Sequence, residues 1–206
     1  MSDSAPSRSV EIERKYDADA DTALPDWTGV PGVIAVSEGE LRELDARYLD
    51  TSDRALAQRG FALRRRTGGP DAGWHVKGPR QGDGRVELGW PLDEDGRMPD
   101  AVAETVAQLT SDELVQIARI ENTRTAYHLE GEGGVIAEFV DDRVRATDLT
   151  SGTQRVWREW EMELGQAAPA DEQGREAFFA AVEQAVLAAG GRPPSSGSKL
   201  ARALGF

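Results

Sequence analysis

The sequence predicts an α+β domain of antiparallel β-strands joined by short turns. The strands form either a closed barrel with a polar lumen and helices packed outside, or a sheet with one solvated face. Three observations predict this fold. Short segments of alternating polar and apolar residues recur along the chain, and such alternation is typical of strands. Clusters of glycine, proline and aspartate separate the segments, as expected for hairpin turns. The charged residues are sorted by sign, with acidic rows on the first and last segments and basic rows on the middle ones.

The composition indicates a single domain in a reducing interior. The chain has 206 residues, of which 39% are hydrophobic and 30% are charged, so it is long enough to bury a core. Its net charge of −13 argues against nucleic acid and anionic membranes as partners. The chain has no cysteine and no apolar run of about 18 residues. We therefore expect a cytoplasmic protein with a flexible tail at residues 1–8 and one domain over residues 9–206.

The first half of the chain predicts six strands and one short helix. Alternation marks the strands, which are Val10–Tyr16, Val33–Ser37, Leu41–Leu49, Phe61–Thr67, Trp74–Lys77 and Arg85–Leu92. Residues 17–32 are acidic, contain proline and glycine, and predict a loop. A helix over Arg54–Arg59 is expected because Ser52 or Asp53 can cap its N-terminus and Gly60 can end it.

The second half of the chain predicts three long strands flanked by helices. Short helices are expected over Asp100–Gln108 and over Ser111–Ile117, the latter with Ser111 as its N-cap. The three strands are Arg119–Leu129, Val135–Thr147 and Gln154–Leu164. The alanine-rich segment Ala170–Ala189 predicts a longer helix. A break rich in glycine and proline follows it, and Lys199–Leu204 predicts a last turn or two of helix.

The acidic rows bear on whether the charged face is enclosed or exposed. Glu11 and Glu13 share one face of the first strand with Lys15. Three more glutamates share one face of the last strand: Glu159, Glu161 and Glu163. Two carboxylates about 6–7 Å apart along a strand repel by about 0.6 kcal/mol in bulk water, and by about 2.5 kcal/mol at an effective dielectric constant near 20. A solvated face therefore tolerates these rows, whereas an enclosed lumen requires a cation.

Basic residues complete the pattern on the middle strands, where Arg64 and Arg66 share a face. The chain has 21 arginines but only three lysines, Lys15, Lys77 and Lys199. This skew suggests that each lysine occupies a position where a compact ammonium group is needed. From the residues alone two interpretations stay open. One is a barrel in which acidic residues hold a divalent metal and basic residues hold an oligoanion. The other is a sheet with one solvated face.

A series of segments along the chain forms one collinear pattern that begins with Glu11-Ile12-Glu13-Arg14-Lys15. The later segments are Tyr48–Thr51, Gly60–Arg66, Lys77–Pro79, Arg85–Glu87, Asp142–Val144, Glu159–Leu164 and Ser198–Leu204. This pattern resembles the CYTH domains of the triphosphate tunnel metalloenzyme superfamily over residues 9–204. Its first segment matches the ExExK signature of that family, and all three lysines fall on motif positions.

The resemblance implies an eight-stranded antiparallel tunnel whose charged interior binds a triphosphate and a divalent metal, Mg²⁺ or Mn²⁺. The implied metal-side carboxylates are Glu11, Glu13, Glu159 and Glu161, with Asp142 and Glu163 as supplements. The implied phosphate-binding residues are Lys15, Arg64, Arg66, Lys77, Arg124 and Lys199, with Arg202 added because it shares the helical face of Lys199. The residues implied to take part in catalysis are Glu11, Glu13, Lys15 and Glu87, the last by orienting the nucleophile or the basic residues.

One position departs from the family pattern. Members often carry a second basic residue two positions before the match to Arg124, and this chain has Asn122 there. The change implies a weaker grip on one phosphate or an altered preference for substrate length. His75 and His128 are near enough in sequence to motif positions to touch a ligand, but we expect rim or structural roles for both.

The predicted function is metal-dependent hydrolysis of a triphosphate, with inorganic tripolyphosphate first, by in-line attack of water on the terminal phosphate. Thiamine triphosphatase and adenylate cyclase activities of the same family are alternatives, since no segment identifies a thiamine or nucleobase pocket. A non-catalytic polyphosphate-binding module is disfavoured because an anion binder gains nothing from extra carboxylates without metal. A barrel that carries apolar ligands is disfavoured because its lumen is charged. We expect a monomer or a homodimer.

Overall fold

The fold is that of a computed structural model, which describes residues 5–93 and 95–206. Nine strands lie within these residues: β1 (Ser7–Ala18), β2 (Ala35–Val36), β3 (Glu40–Asp50), β4 (Ala62–Thr67), β5 (Gly73–Gln81), β6 (Gly84–Trp90), β7 (Val115–Gly131), β8 (Gly134–Asp148) and β9 (Gln154–Leu164). Four helices accompany them: α1 (Ala55–Gln58), α2 (Asp100–Ala107), α3 (Glu172–Ala189) and α4 (Lys199–Leu204).

Eight of the strands close into an antiparallel barrel, which confirms the predicted fold class. Their order is β7-β3-β4-β5-β6-β1-β9-β8, and pairing between β7 and β8 closes the ring. The short β2 pairs with the end of β7 beyond the residues that pair with β3. Closure satisfies the backbone groups that an open sheet would leave at its edges.

The first strand changes partner halfway along its length. Residues 7–12 pair with β6, and residues 13–18 pair with β9. In the second register Glu13 lies opposite Glu163 and Lys15 lies opposite Glu161. The charged row of β1 therefore lies beside the acidic row of β9. Both rows face the lumen because the sheet is closed.

Apolar side chains pack outward under two helices. Trp160, Met162 and Phe139 form a buried cluster with residues of α3, among them Phe178 and Val182. A second cluster joins β4, β5 and β6 to α2: Leu63, Trp74, Val76, Trp90, Val102 and Val106. The C-terminal α4 packs on β7 and β8 through a third cluster, whose Ile120, Leu200 and Leu204 also line the cavity of the lumen. The prediction that helices pack outside the barrel therefore holds for α2 and α3, whereas α4 packs on the lumen face.

The structure differs from the sequence prediction at three places. A helix over Ser111–Ile117 is wrong, because β7 begins at Val115 and pairs with the end of β3. Two turns of helix gain less than these strand pairings, in which β-branched Val115 and Ile117 fit well. The strand β1 begins at Ser7, so its first residues fall within the stretch expected to be a tail.

The N-terminal cap of α1 is the third difference, because neither Ser52 nor Asp53 caps the helix. Arg54 precedes it in the left-handed conformation, with φ 67°. The Thr51 hydroxyl accepts a hydrogen bond from the Ala55 amide at 2.8 Å, and the Asp50 carboxylate accepts from the next two amides at 2.8 and 3.0 Å. Among the described residues, no helix combines the length and the apolar composition needed to cross a bilayer.

Candidate functional site

The lumen contains a cavity of about 520 Å³. It is lined by ten of the residues that the sequence singled out: Glu11, Glu13, Lys15, Arg64, Arg66, Lys77, Arg124, Glu161, Glu163 and Lys199. They come from β1, β4, β5, β7, β9 and α4, and they meet because the barrel closes around residues of alternate strand positions. Three further predicted residues, Glu87, Asp142 and Glu159, contact members of this set.

Three buried carboxylates converge at one end of the set. Asp142, Glu159 and Glu161 each offer an oxygen, and these oxygens lie within 4.8 Å of one another. Arg124 donates two hydrogen bonds to Asp142, at 2.8 and 2.7 Å, and one to Glu161 at 2.9 Å. The Lys199 ammonium contacts all three carboxylates. Because oxygen donors suit hard divalent cations, this cluster could bind a metal ion.

A second group of carboxylates in the cavity consists of Glu11 and Glu13 of β1 and Glu163 of β9. Glu11 accepts a hydrogen bond from Lys77 at 2.5 Å, and Glu13 accepts one from Lys15 at 3.0 Å. Burial raises the pKa of Glu163 to about 7, and the negative charges of Glu11 and Glu13 add to the shift while Lys77 opposes it. Glu163 therefore exchanges its proton near neutral pH in the metal-free protein.

Glu163→Gln is expected to stabilise the metal-free protein at pH 8 but to change little at pH 5. The folded-state pKa of about 7 lies above the usual 4.5, so the folded state keeps a proton that the unfolded chain releases, and stability falls as the pH rises between these values. Glutamine removes that loss, which we expect to be about 2 kcal/mol. Urea denaturation with chelator at both pH values measures it. Glu121→Gln is the control, and an equal effect at both pH values would contradict the prediction.

The basic side of the cavity crowds three guanidinium groups: Arg64, Arg66 and Arg124. Burial, together with the positive charges of Arg64 and Arg124, lowers the pKa of Arg66 to about 9. Within residues 5–93 and 95–206, Nε of Arg64 and Nε of Arg66 have no hydrogen-bond partner. Arg66 does contact Asp71, which is exposed. Buried, mutually repelling cations with free donors are the arrangement that an anion stabilises.

Glu87 connects the basic residues to a histidine. Its carboxylate lies 3.0 Å from Lys77 Nζ, 3.6 Å from Arg64 and 2.7 Å from His75 Nδ1. Although burial opposes it, the hydrogen bond from His75 and the charges of Arg64 and Lys77 hold the pKa of Glu87 well below its usual range. His75 is itself buried, and its Nε2 lies 3.0 Å from the Asp71 carbonyl oxygen. Glu87 therefore bridges His75 to Lys77 and Arg64.

Arg202 is not brought to the cavity with the other predicted residues. Its guanidinium donates to Asp17 at 2.6 Å, stacks on Trp157 with 4.8 Å to the ring centroid, and lies 4.0 Å from Glu159. Asn122, in contrast, does line the cavity and is buried, and its Oδ1 has no hydrogen-bond partner in the part of the chain that the structure describes.

The cavity is also lined by residues to which the sequence assigned no role, among them Tyr48 and Arg85 of the matched segments. Arg85 donates a hydrogen bond to the Gly78 carbonyl at 2.6 Å. The signal for Arg85 was its alternation with Glu87 along β6. His128, expected at the rim or in a structural role, is partly exposed and lies 3.1 Å from Glu138.

The sequence matches the family model of the CYTH domain over residues 9–191. Two uncharacterized proteins of Mycobacterium tuberculosis, MT2285 and Rv2226, are each 37% identical to the chain over 213 residues. The alignment covers 97% of this chain and 41% of each relative, so the chain spans less than half the length of these proteins.

Solved structures share the fold at low sequence identity. An adenylate cyclase-like protein of Bacillus halodurans is similar with a TM-score of 0.64 and 19% identity, over 95% of this chain and 97% of that one. The adenylyl cyclase-like protein HpAC1 of Hippeastrum, which has a dominant triphosphatase activity, is similar with a TM-score of 0.55 and 17% identity, over 93% of each chain. From the match over most of its length, the chain belongs to the CYTH domain family.

Proposed function

We propose that the chain is a metal-dependent triphosphatase whose substrate is inorganic tripolyphosphate or a closely related triphosphate. The observation that carries the proposal is the crowding of Arg64, Arg66 and Arg124 beside a converging set of carboxylates. The arginines would bind an oligoanion, and the carboxylates would bind a cation that also contacts the oligoanion. The triphosphatase activity of HpAC1 favours hydrolysis over cyclisation.

The donor set fits Mg²⁺ or Mn²⁺. Every candidate ligand is a carboxylate oxygen, and one of them, Oε1 of Glu159, is buried without a hydrogen-bond partner among the described residues. The residues that would hold metal are Asp142, Glu159 and Glu161, with Glu163 further along β9 and Glu11 and Glu13 on the neighbouring β1. A bound divalent ion supplies polarisation of phosphoryl oxygens and neutralises charge that develops on them.

The side chains of the cavity bind and orient the triphosphate. The guanidinium groups contact phosphate oxygens through paired N–H donors, and Lys15, Lys77 and Lys199 act as point charges. Glu87 holds Lys77 and Arg64 in place, so that these cations are fixed before the substrate arrives. Water attacks the terminal phosphorus in line with the leaving oxygen, and the arranged positive charges stabilise the transition state.

An organic triphosphate is the second candidate substrate, because part of the cavity wall is apolar. Leu44, Phe61, Ile120, Leu200 and Leu204 line it together with the charged residues. Such a wall can pack against the organic group of thiamine triphosphate or of ATP. Cyclisation of ATP would need the same grip on the triphosphate.

The test is phosphate release from tripolyphosphate, thiamine triphosphate, ATP and pyrophosphate, each with Mg²⁺, with Mn²⁺ and with chelator. We expect the fastest turnover with tripolyphosphate, loss of turnover with chelator, and little turnover of pyrophosphate, which is too short to reach all the basic residues. Metal-independent turnover, or no turnover of any triphosphate, would contradict the proposal. Cyclic nucleotide formed from ATP would move the chain to the cyclase alternative.

A further inference from the structure

Lys199 lies at the point on which the three converging carboxylates are directed. Its ammonium nitrogen is 2.8 Å from Asp142, 2.6 Å from Glu159 and 2.7 Å from Glu161. The last helix therefore places a positive charge where a metal ion would have to bind.

The ammonium satisfies this position poorly. Of its three carboxylate contacts, the one to Glu161 has the geometry of a hydrogen bond. Oε1 of Glu159, although 2.6 Å away and buried, is without a hydrogen-bond partner in the described structure. An ammonium group needs its three N–H bonds aimed at acceptors, whereas a divalent ion carries twice the charge and has no hydrogens to aim. Lys199 therefore holds this carboxylate oxygen through charge alone, without a directed hydrogen bond, which leaves the oxygen available to a divalent ion.

We propose that Lys199 is a built-in cation that holds the carboxylate cluster together without metal, and that a divalent ion displaces it. The inference rests on the proposed function in one respect, namely that metal binds at Asp142, Glu159 and Glu161. Without metal, the charges of Arg124, Lys15 and Lys199 balance those three carboxylates. A divalent ion added to this set leaves a surplus of positive charge, which is relieved when the ammonium moves away.

The displaced ammonium has a place to go, because Lys199 also lines the cavity that holds the arginines. Metal binding thus converts Lys199 from a partner of carboxylates into a free cation for phosphate oxygens. The two ligands are then coupled, since metal releases a binding group for the triphosphate and the triphosphate keeps Lys199 out of the metal position. The same movement loosens α4, whose first residue loses three ionic contacts.

The test is calorimetric titration of Mn²⁺, without substrate, into the wild-type chain and into Lys199→Met. Methionine keeps the length of the side chain and removes the competing charge, so Mn²⁺ should bind about 10- to 100-fold more tightly, the usual range of coupling between two ligands. Arg202→Met is the matched control, because it removes a positive charge from the same helix that only approaches Glu159. It should tighten Mn²⁺ binding by about twofold at most.

Each outcome separates the two proposals. If Mn²⁺ does not bind the wild-type chain, metal dependence and with it the proposed function are wrong. If Mn²⁺ binds the wild type and Lys199→Met equally well, or binds the variant more weakly, displacement is wrong while the proposed function stands. Hydrogen exchange of the wild-type chain covers the case in which the variant does not fold. Mg²⁺ should speed exchange of the α4 amides, and unchanged or slower exchange would overturn the proposal.

Discussion

Arg66→Met is expected to raise the free energy of unfolding and to lower triphosphate hydrolysis by about 10²–10⁴-fold. Arg66 is 5% exposed, and burial and the repulsion of Arg64 and Arg124 lower its pKa to about 9. The folded state therefore disfavours this charge, and its partner Asp71 is too exposed to compensate. Methionine preserves the packed stem and removes the charge. Replacing buried charges by apolar groups of similar volume often gains about 1–4 kcal/mol.

The activity should fall because the charge that destabilises the folded chain is also the charge that binds phosphate. Arg66 can donate two charge-assisted hydrogen bonds to phosphate, worth about 1.5–3 kcal/mol each. At about 1.4 kcal/mol per factor of ten, their loss lowers the rate by about 10²–10⁴-fold. Urea denaturation and steady-state phosphate release measure the two effects. Arg65→Met is the matched control, because Arg65 is adjacent on β4 but on its outer face, and its activity should stay near that of the wild type. A stable Arg66→Met variant with full activity would remove Arg66 from the substrate site.

Strand alternation and the sorting of charge predicted the strands and their charged faces because both depend on local periodicity, whereas the closed barrel was implied by the resemblance to CYTH domains. Once β1 and β9 are strands, Glu13 must share a face with Lys15, and Glu161 with Glu163, whatever the register. Which of these residues touch depends on the register, and that is set by long-range pairing. The change of partner along β1, which brings Lys15 opposite Glu161, has no local signal in the sequence.

The same limit explains why the contacts of Arg202 and His75 could not be predicted. Arg202 and Lys199 lie on one helix, but the docking of α4 on β7 and β8 directs Arg202 towards Asp17 instead of the cavity. His75 was expected at the rim or in a structural role, and only the pairing of β5 with β6 places it against Glu87. Contacts between elements far apart in the chain decided both cases, and propensity and periodicity do not contain that information.

Glu13→Gln is expected to reduce metal-dependent hydrolysis by about 10³-fold while leaving the fold intact. Asp142 would be a poor choice for such a test, since its two oxygens bind Arg124 and its loss leaves that charge buried and unpaired. Glu13 is easier to replace, because its partner Lys15 keeps a second carboxylate in Glu161. Glutamine matches its shape but supplies no charge to a cation.

The metal requirement identifies the cause of the loss. A metal ligand that contributes about 4 kcal/mol to stabilisation of the transition state accounts for a loss of about 10³-fold in rate. Part of that loss should appear as a rise in the Mn²⁺ concentration needed for half-maximal activity. Glu121→Gln is the control, because Glu121 is a partly exposed side chain on the outer face of β7. It should leave the turnover and the Mn²⁺ concentration at half-maximal activity unchanged. The melting temperature with chelator checks the fold. If Glu13→Gln kept wild-type turnover at the same Mn²⁺ midpoint, the carboxylates of β1 would lie outside the metal site, and Asp142, Glu159 and Glu161 alone would hold the ion.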